Sequence, residues 1–303
     1  MIRIITDTVS SLSKELAEKH SIELVSLYIR YKGEEFKDIG VDLDEFYTEI
    51  YDMIDNPPQS SQPSFADFEQ AFRPIAEAGD ELLGIFCSSS LSGTYEGALR
   101  AIDVIKEDYP SFKFRIIDST SCGYDQSWSI LAAADARDMG KSLDECTEAC
   151  LHSILSSRFL FTPESLKFLQ AGGRIGNAAA LVGNLIQLSP ILTVEDKKAA
   201  TFEKVRTKKR ALKHIEEAIK KDAEAHGGLK NIVVHYIGSA EPAHEWARLV
   251  VDEIAGKTVD VVPVSSTIGT HVGPAFGVVY ECFEPIQNKF SGDVQELVYS
   301  NEG

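Results

Sequence analysis

Short apolar runs alternating with amphipathic stretches limit what this chain can fold into. In the first half, apolar runs at 2–6, 22–30, 82–87 and 113–118 read as strands. Between them, apolar positions three and four apart predict helices at 43–55, 65–77, 94–107 and 124–139, and again at 142–157. Strands recur near 158–161, 190–195, 230–237, 258–264 and 277–282, with helices at 163–170, 207–224 and 240–255. This is the pattern of an α/β protein with largely parallel strands. A chain of 303 residues is long enough for two cores. The boundary is expected near 157, giving an N-terminal α/β domain at 1–157 and a C-terminal α/β domain at 158–303. From about 283 the sequence reads as an extension, mixing Gly, Asn, Ser and acidic residues with scattered apolar ones.

A formal net charge of −17 argues against nucleic acid and anionic membrane surfaces as partners, because both need a basic face. No apolar run reaches the roughly 18 residues of a membrane span. The first residues, Met1-Ile2-Arg3-Ile4-Ile5-Thr6-Asp7, read as a strand rather than a signal peptide, so a cytoplasmic location is expected. Five widely spread cysteines (Cys87, Cys122, Cys146, Cys150 and Cys282) fit reduced thiols. Cys146, Cys150 and His152 do not complete a zinc spacing, and His244-Glu245-Trp246-Ala247-Arg248 lacks the second histidine of a zinc-protease helix. No metal or cofactor is expected.

Three segments carry small hydroxyl or imidazole groups at expected strand or helix ends. They are Ser60-Ser61-Gln62-Pro63-Ser64, Ser88-Ser89-Ser90-Leu91-Ser92-Gly93-Thr94 and Gly269-Thr270-His271-Val272-Gly273-Pro274. Asn56-Pro57-Pro58 places the first on an exposed loop. The second joins a buried strand to a helix, where hydroxyls, amides and the helix dipole favour an anion. Ser92 or Thr94 could instead simply cap that helix. The third places His271 on a loop between glycines, where a ligand could approach closely. Asp7 ends the first strand and could orient a hydroxyl or, the favoured reading, cap a helix, and Asp118 ends another strand in the same way. Gly172-Gly173 before Arg174 predicts a helix ending in a tight turn that presents the arginine. Lys204, Arg206, Lys208, Lys209, Arg210 and Lys213 form a basic run, either a solvated face or a docking surface for an acidic partner or phosphate. Together the three segments suggest a clamp for a carboxylate.

Taken in order, these pieces resemble the DegV family of bacterial lipid-binding proteins, which includes the fatty-acid-binding subunits of fatty-acid kinases. Ile5-Thr6-Asp7, Ser61-Gln62-Pro63-Ser64, Ser89-Ser90-Leu91-Ser92-Gly93-Thr94-Tyr95, Asp118-Ser119, Gly172-Gly173-Arg174-Ile175, Pro190-Ile191-Leu192 and Ile268-Gly269-Thr270-His271-Val272-Gly273-Pro274 carry the likeness, from residue 4 to about 282. The resemblance implies two α/β domains, with a mostly parallel sheet in the first and a mixed sheet with helices in the second. One long-chain fatty acid would lie between them, its tail in an apolar tunnel. Ser60, Ser92 and His271 would hold the carboxylate. Ser61, Gly93, Thr94, Thr270, Arg174 and Arg206 would support the head group or dock a partner. A separate ATP-dependent kinase would phosphorylate the bound acid, so the chain itself would not be an enzyme. Ser60 stands where threonine is usual, Ser189-Pro190 replaces a frequent Lys-Pro pair, and Gly273–Gly277 is one glycine shorter than the usual loop.

Two other readings stay open at this stage. A serine hydrolase would use Ser92 as nucleophile and His271 as base, and it would need an acid behind the histidine, where the sequence places neither Asp7 nor Asp118. It lacks the Gly-x-Ser-x-Gly elbow, since Ser90 stands where the first glycine belongs. A phosphate-site enzyme would use the serine loop as a cradle, but no P-loop or dinucleotide glycine pattern occurs.

Overall fold

A computed structural model describes residues 1–181, 189–286 and 289–301. Its first sheet runs in the order Val298–Ser300, Phe114–Asp118, Glu81–Phe86, Ile2–Asp7, Ile22–Val25. The last four strands are parallel, and Val298–Ser300 pairs antiparallel at the edge. Glu81–Phe86 sits at the centre, and its unbroken apolar run is what a strand covered on both faces requires. Leu83 and Ile85 pack against Ile130, Ala133, Cys146 and Ile154 of the helices Tyr124–Asp138 and Leu143–Ser156. Leu82 and Phe86 point the other way, into Phe68, Phe72, Ala98 and Ile102 of Phe65–Ala78 and Thr94–Asp108. The two-residue period of the strand thus feeds two helical layers.

The second sheet has six strands in the order Lys198–Val205, Ser189–Glu195, Ser157–Pro163, Ala275–Cys282, Leu229–Ile237, Asp260–Pro263. All neighbours are antiparallel except the last pair. One face is covered by Lys208–Ala225 and by the helical stretch Glu241–Ala255, which contains a π turn at Ala247–Val251. The other face contributes Phe159, Phe161, Leu192, Val233 and Val279 to a core shared with Val9, Leu27, Cys87, Cys122 and Tyr124 of the first half. That shared core holds the candidate site. All five cysteines are free and buried. Among the described residues no helix is long and apolar enough to cross a membrane.

Several expectations change. The stretch 22–30 breaks into Ile22–Val25 and Tyr28–Tyr31, and 43–55 into the helix Leu43–Thr48 and a 3-10 turn at Asp52–Asp55. The Ser60 segment is not an exposed loop. Gln59–Ser61 is the edge strand of a small antiparallel sheet with Tyr28–Tyr31 and Glu34–Lys37. Strand Lys198–Val205 was unforeseen, because its hairpin turns on Asp196 and Lys197 at positive φ rather than on a glycine. The last segment does not stay with the second half. Tyr299 pairs with Ile116, and Leu297 is fully buried in the core beside Ile117 and Ile130. Within this segment, residues 287–288 and 302–303 lie outside the described residues.

Candidate functional site

Asp7, Cys87 and Asp118 lie at or just beyond the carboxyl ends of three neighbouring parallel strands, where open α/β sheets place their ligand crevice. Asp7 accepts from the amides of Val9 (2.9 Å) and Cys87 (2.7 Å), which ties the first turn to the serine loop. Burial raises its carboxyl to about 6. Asp118 accepts from the Ser89 hydroxyl at 2.6 Å and pairs with Lys197 Nζ at 2.9 Å. Lys197 sits at the tip of the hairpin Ser189–Val205, and its carbonyl accepts from Ser88 Oγ at 2.7 Å. Both aspartates therefore shape loops.

His271 is not on a loop. It lies in the last turn of the helix Ser266–Val272, which ends at Gly273 with φ of +69°. The helix is assembled largely by distant partners. Ser265 Oγ caps Ile268 N, and Asp38 accepts from Ser266 Oγ and from Thr267 N. Tyr47 OH donates to the carbonyls of Val264 and Ser265, both at 2.9 Å. The result brings His271 Nε2 within 2.7 Å of Ser60 Oγ, across 211 residues of sequence. Burial, and then the nearby Arg174 charge, push the imidazole down to about 4, so it is neutral at pH 7.

Ser60, Ser92, Arg174 and His271 meet on the wall of one hollow of about 630 Å³, measured out to its mouth. The remaining wall is mostly apolar, with Val9, Leu27, Leu91, Phe159, Leu169 and Val194 contributed from both halves. Phe159, Phe161, Ile268 and Val272 also line a second hollow of about 250 Å³ that reaches Tyr236 and Phe276. Ser92 Oγ lies 2.7 Å from Thr94 Oγ1 and accepts weakly from Thr94 N at 3.3 Å, so it also serves the start of the Thr94–Asp108 helix. Arg174 follows Gly173, whose φ of +70° makes the turn. Its Nε donates to Leu91 O (3.0 Å) and its Nη1 to Gly172 O (2.5 Å), which joins the serine loop to the second half.

The other expected residues lie off the wall. Ser61 is exposed, and Gly93 and Thr94 do not line the hollow. Thr270 is buried and its hydroxyl donates to Thr267 O at 2.8 Å, within its own helix. Arg206 is exposed between Lys198–Val205 and the helix Lys208–Ala225, away from the hollow. Sequence reasoning missed Cys87, Cys122, Phe159, Phe161 and Val194 as walls. They read only as core residues, and all five are buried. The hydrolase arrangement does not form. Ser60, not Ser92, meets the imidazole, and both aspartates are engaged elsewhere. Among the described residues His271 Nδ1 has no hydrogen-bond partner at all, so no acid backs the ring.

The model of the DegV family, a family described as uncharacterised proteins, matches residues 1–282. A DegV domain-containing protein of Clostridium acetobutylicum is 38% identical over 280 residues, covering 92% of this chain and 97% of that relative. This chain belongs to the DegV family. Its fold is that of solved DegV-type proteins. DegV from Bacillus subtilis, described as a fatty acid binding protein, superposes with a TM-score of 0.81 at 26% identity, covering 92% of this chain and 98% of that one. A stearic acid-binding protein from Eubacterium ventriosum gives 0.81 at 25% identity, covering 93% and 98%. In this DegV-family chain, Ser189 opens the strand Ser189–Glu195. The short loop after His271 reaches the strand Ala275–Cys282 through Gly273 and Pro274 alone, and Pro274 O accepts from Glu164 N at 2.9 Å.

Proposed function

We propose that this protein binds one long-chain fatty acid and presents it to a separate ATP-dependent kinase for acyl-phosphate formation, without catalysing a reaction itself. The carboxylate lies against Ser60, Ser92 and His271, with Arg174 supplying nearby positive charge, and the acyl chain occupies the apolar hollow. The carrying observation is the Ser60–His271 contact of 2.7 Å on the wall of a hollow otherwise mostly apolar. A carboxylate leaving water must recover its hydration through hydrogen bonds, and charge-assisted bonds are the stronger kind. An acyl chain gains about 0.8 kcal/mol per buried CH₂, so a tail of some fifteen methylenes brings roughly 12 kcal/mol at most. The fatty-acid-binding descriptions of the Bacillus and Eubacterium relatives support this reading. Exposed Arg206 and the basic run around it are assigned to the docking face for the kinase. The setting is the bacterial cytoplasm.

Mass spectrometry of the purified protein, first native and then after denaturation and organic extraction, tests this. A fatty acid at one equivalent, or stoichiometric uptake of added stearate, is the expected result. A protein that is empty and takes up no added fatty acid refutes the proposal.

A further inference from the structure

We infer that His271 serves the head-group site as a neutral hydrogen-bond donor, held in the Nε2–H tautomer by the close packing of Gly172 against the other ring nitrogen. This deepens the fatty-acid reading and rests on it for the identity of the ligand. Hydrogen positions follow from the surrounding network, and here the network is one-sided. Nε2 lies 2.7 Å from Ser60 Oγ, and both residues face the hollow. Nδ1 is buried and has no partner among the described residues. A Cβ on Gly172 would overlap Nδ1, so only a residue without one lets the ring sit where it does. The Gly172 backbone is at φ −77° and ψ −8°, a conformation open to any residue. Its neighbour, not its backbone, therefore demands glycine.

A proton on Nδ1 would be a buried donor with nothing to receive it, which costs the full loss of its hydration. It would also face the positive charge of Arg174, whose Nη1 is bound to the carbonyl of this same Gly172. A bare lone pair on Nδ1 also goes without a partner, but the Arg174 charge attracts it where it would repel a proton. Ser60 on its strand and Arg174 on the turn after Lys167–Ala171 are the polar groups facing the ring, and no carboxylate among the described residues bonds to it. The lowering of the imidazole to about 4 agrees with this arrangement. A fatty-acid carboxylate only accepts hydrogen bonds. An Nε2–H together with the Ser60 hydroxyl gives it two donors, without the cost of burying an imidazolium beside a guanidinium.

The test is ¹⁵N-resolved NMR of the histidine rings in the full chain between about pH 5 and 8, with His271→Gln identifying the signal. The Nε2–H pattern, without titration in that window, is expected. A ring that titrates near its ordinary value of about 6.5, or an Nδ1–H pattern, overturns the inference whether or not lipid binds. Stearate binding gives a second readout. His271→Ala should weaken it roughly tenfold or more, and His271→Gln, which places a neutral N–H near the Nε2 position, should recover most of that loss. A glutamine variant as poor as the alanine variant refutes neutral donation. Gly172→Ala should displace the Nε2–H signal and weaken stearate by roughly tenfold, and an unmoved signal would refute the role of Gly172. If the parent fails to bind stearate, the fatty-acid reading falls, while the ring signals still decide the tautomer.

Discussion

At the residue scale the clamp rests on hydroxyls whose commitments differ. Ser60 Oγ is tied to the imidazole, and Ser92 Oγ to Thr94. Hydrogen bonds to a charged group are worth about 1.5–3 kcal/mol, which is roughly ten- to a hundredfold in affinity. Ser60→Ala is expected to weaken stearate binding within that range, and Ser92→Ala near its lower end. Neither change empties a core position, so thermal unfolding should stay close to the parent's. Equilibrium dialysis with labelled stearate checks this, and two variants that retain ligand like the parent would remove both serines from the site. The sequence made Ser60, Ser92, Arg174 and His271 legible as candidates because small hydroxyls, a glycine-framed histidine and a glycine-presented arginine are local signals. It could not show that Ser60, rather than Ser92, meets His271, because that pairing depends on the small sheet holding Gln59–Ser61.

At the scale of elements, the His271 helix shows why local signals fall short. Gly269 and the β-branched Thr267, Thr270 and Val272 are poor helix formers, and the segment reads as a loop. Tertiary partners override propensity here, with Asp38, Tyr47 and the Ser265 cap fixing its first turn. Replacing Gly269 by alanine would gain about 1 kcal/mol of helix propensity in isolation. In this fold the added Cβ would meet the Tyr47 ring at 2.5–2.9 Å. Overpacking of that kind costs about 1–3 kcal/mol, and it pushes on the tyrosine that holds two carbonyls. The clash should win. Gly269→Ala is expected to lower the thermal midpoint and weaken stearate binding by displacing His271. A raised midpoint would show that Tyr47 yields freely and that the helix is less constrained than its contacts imply.

At the scale of the whole molecule, alternating apolar runs made most strands and helices legible, but not the path of the last stretch. Three residues, Val298–Ser300, complete the first sheet, too few to leave a periodic signal. On the way back the chain places Lys289 in the seam between the halves. Its Nζ donates to Asp125 Oδ1 at 2.8 Å on the helix Tyr124–Asp138, and to Ser157 Oγ at 2.9 Å at the head of the strand Ser157–Pro163. Lys289 is 3% exposed and Asp125 0%. Desolvation of both ions offsets much of their attraction, so the pair is a weak source of net stability. Breaking it is another matter, because the survivor is a buried charge without a partner. Lys289→Met should cost about 3–5 kcal/mol, whereas Lys289→Met with Asp125→Leu should cost clearly less than the single change. Urea unfolding of the two variants decides this. The shared core of Val9, Leu27, Cys87, Phe159, Phe161 and Leu192 should keep the parent's transition single, since it is built from both halves. If Lys289→Met unfolds like the parent, the seam admits water and the halves are joined by that apolar core rather than by the ion pair.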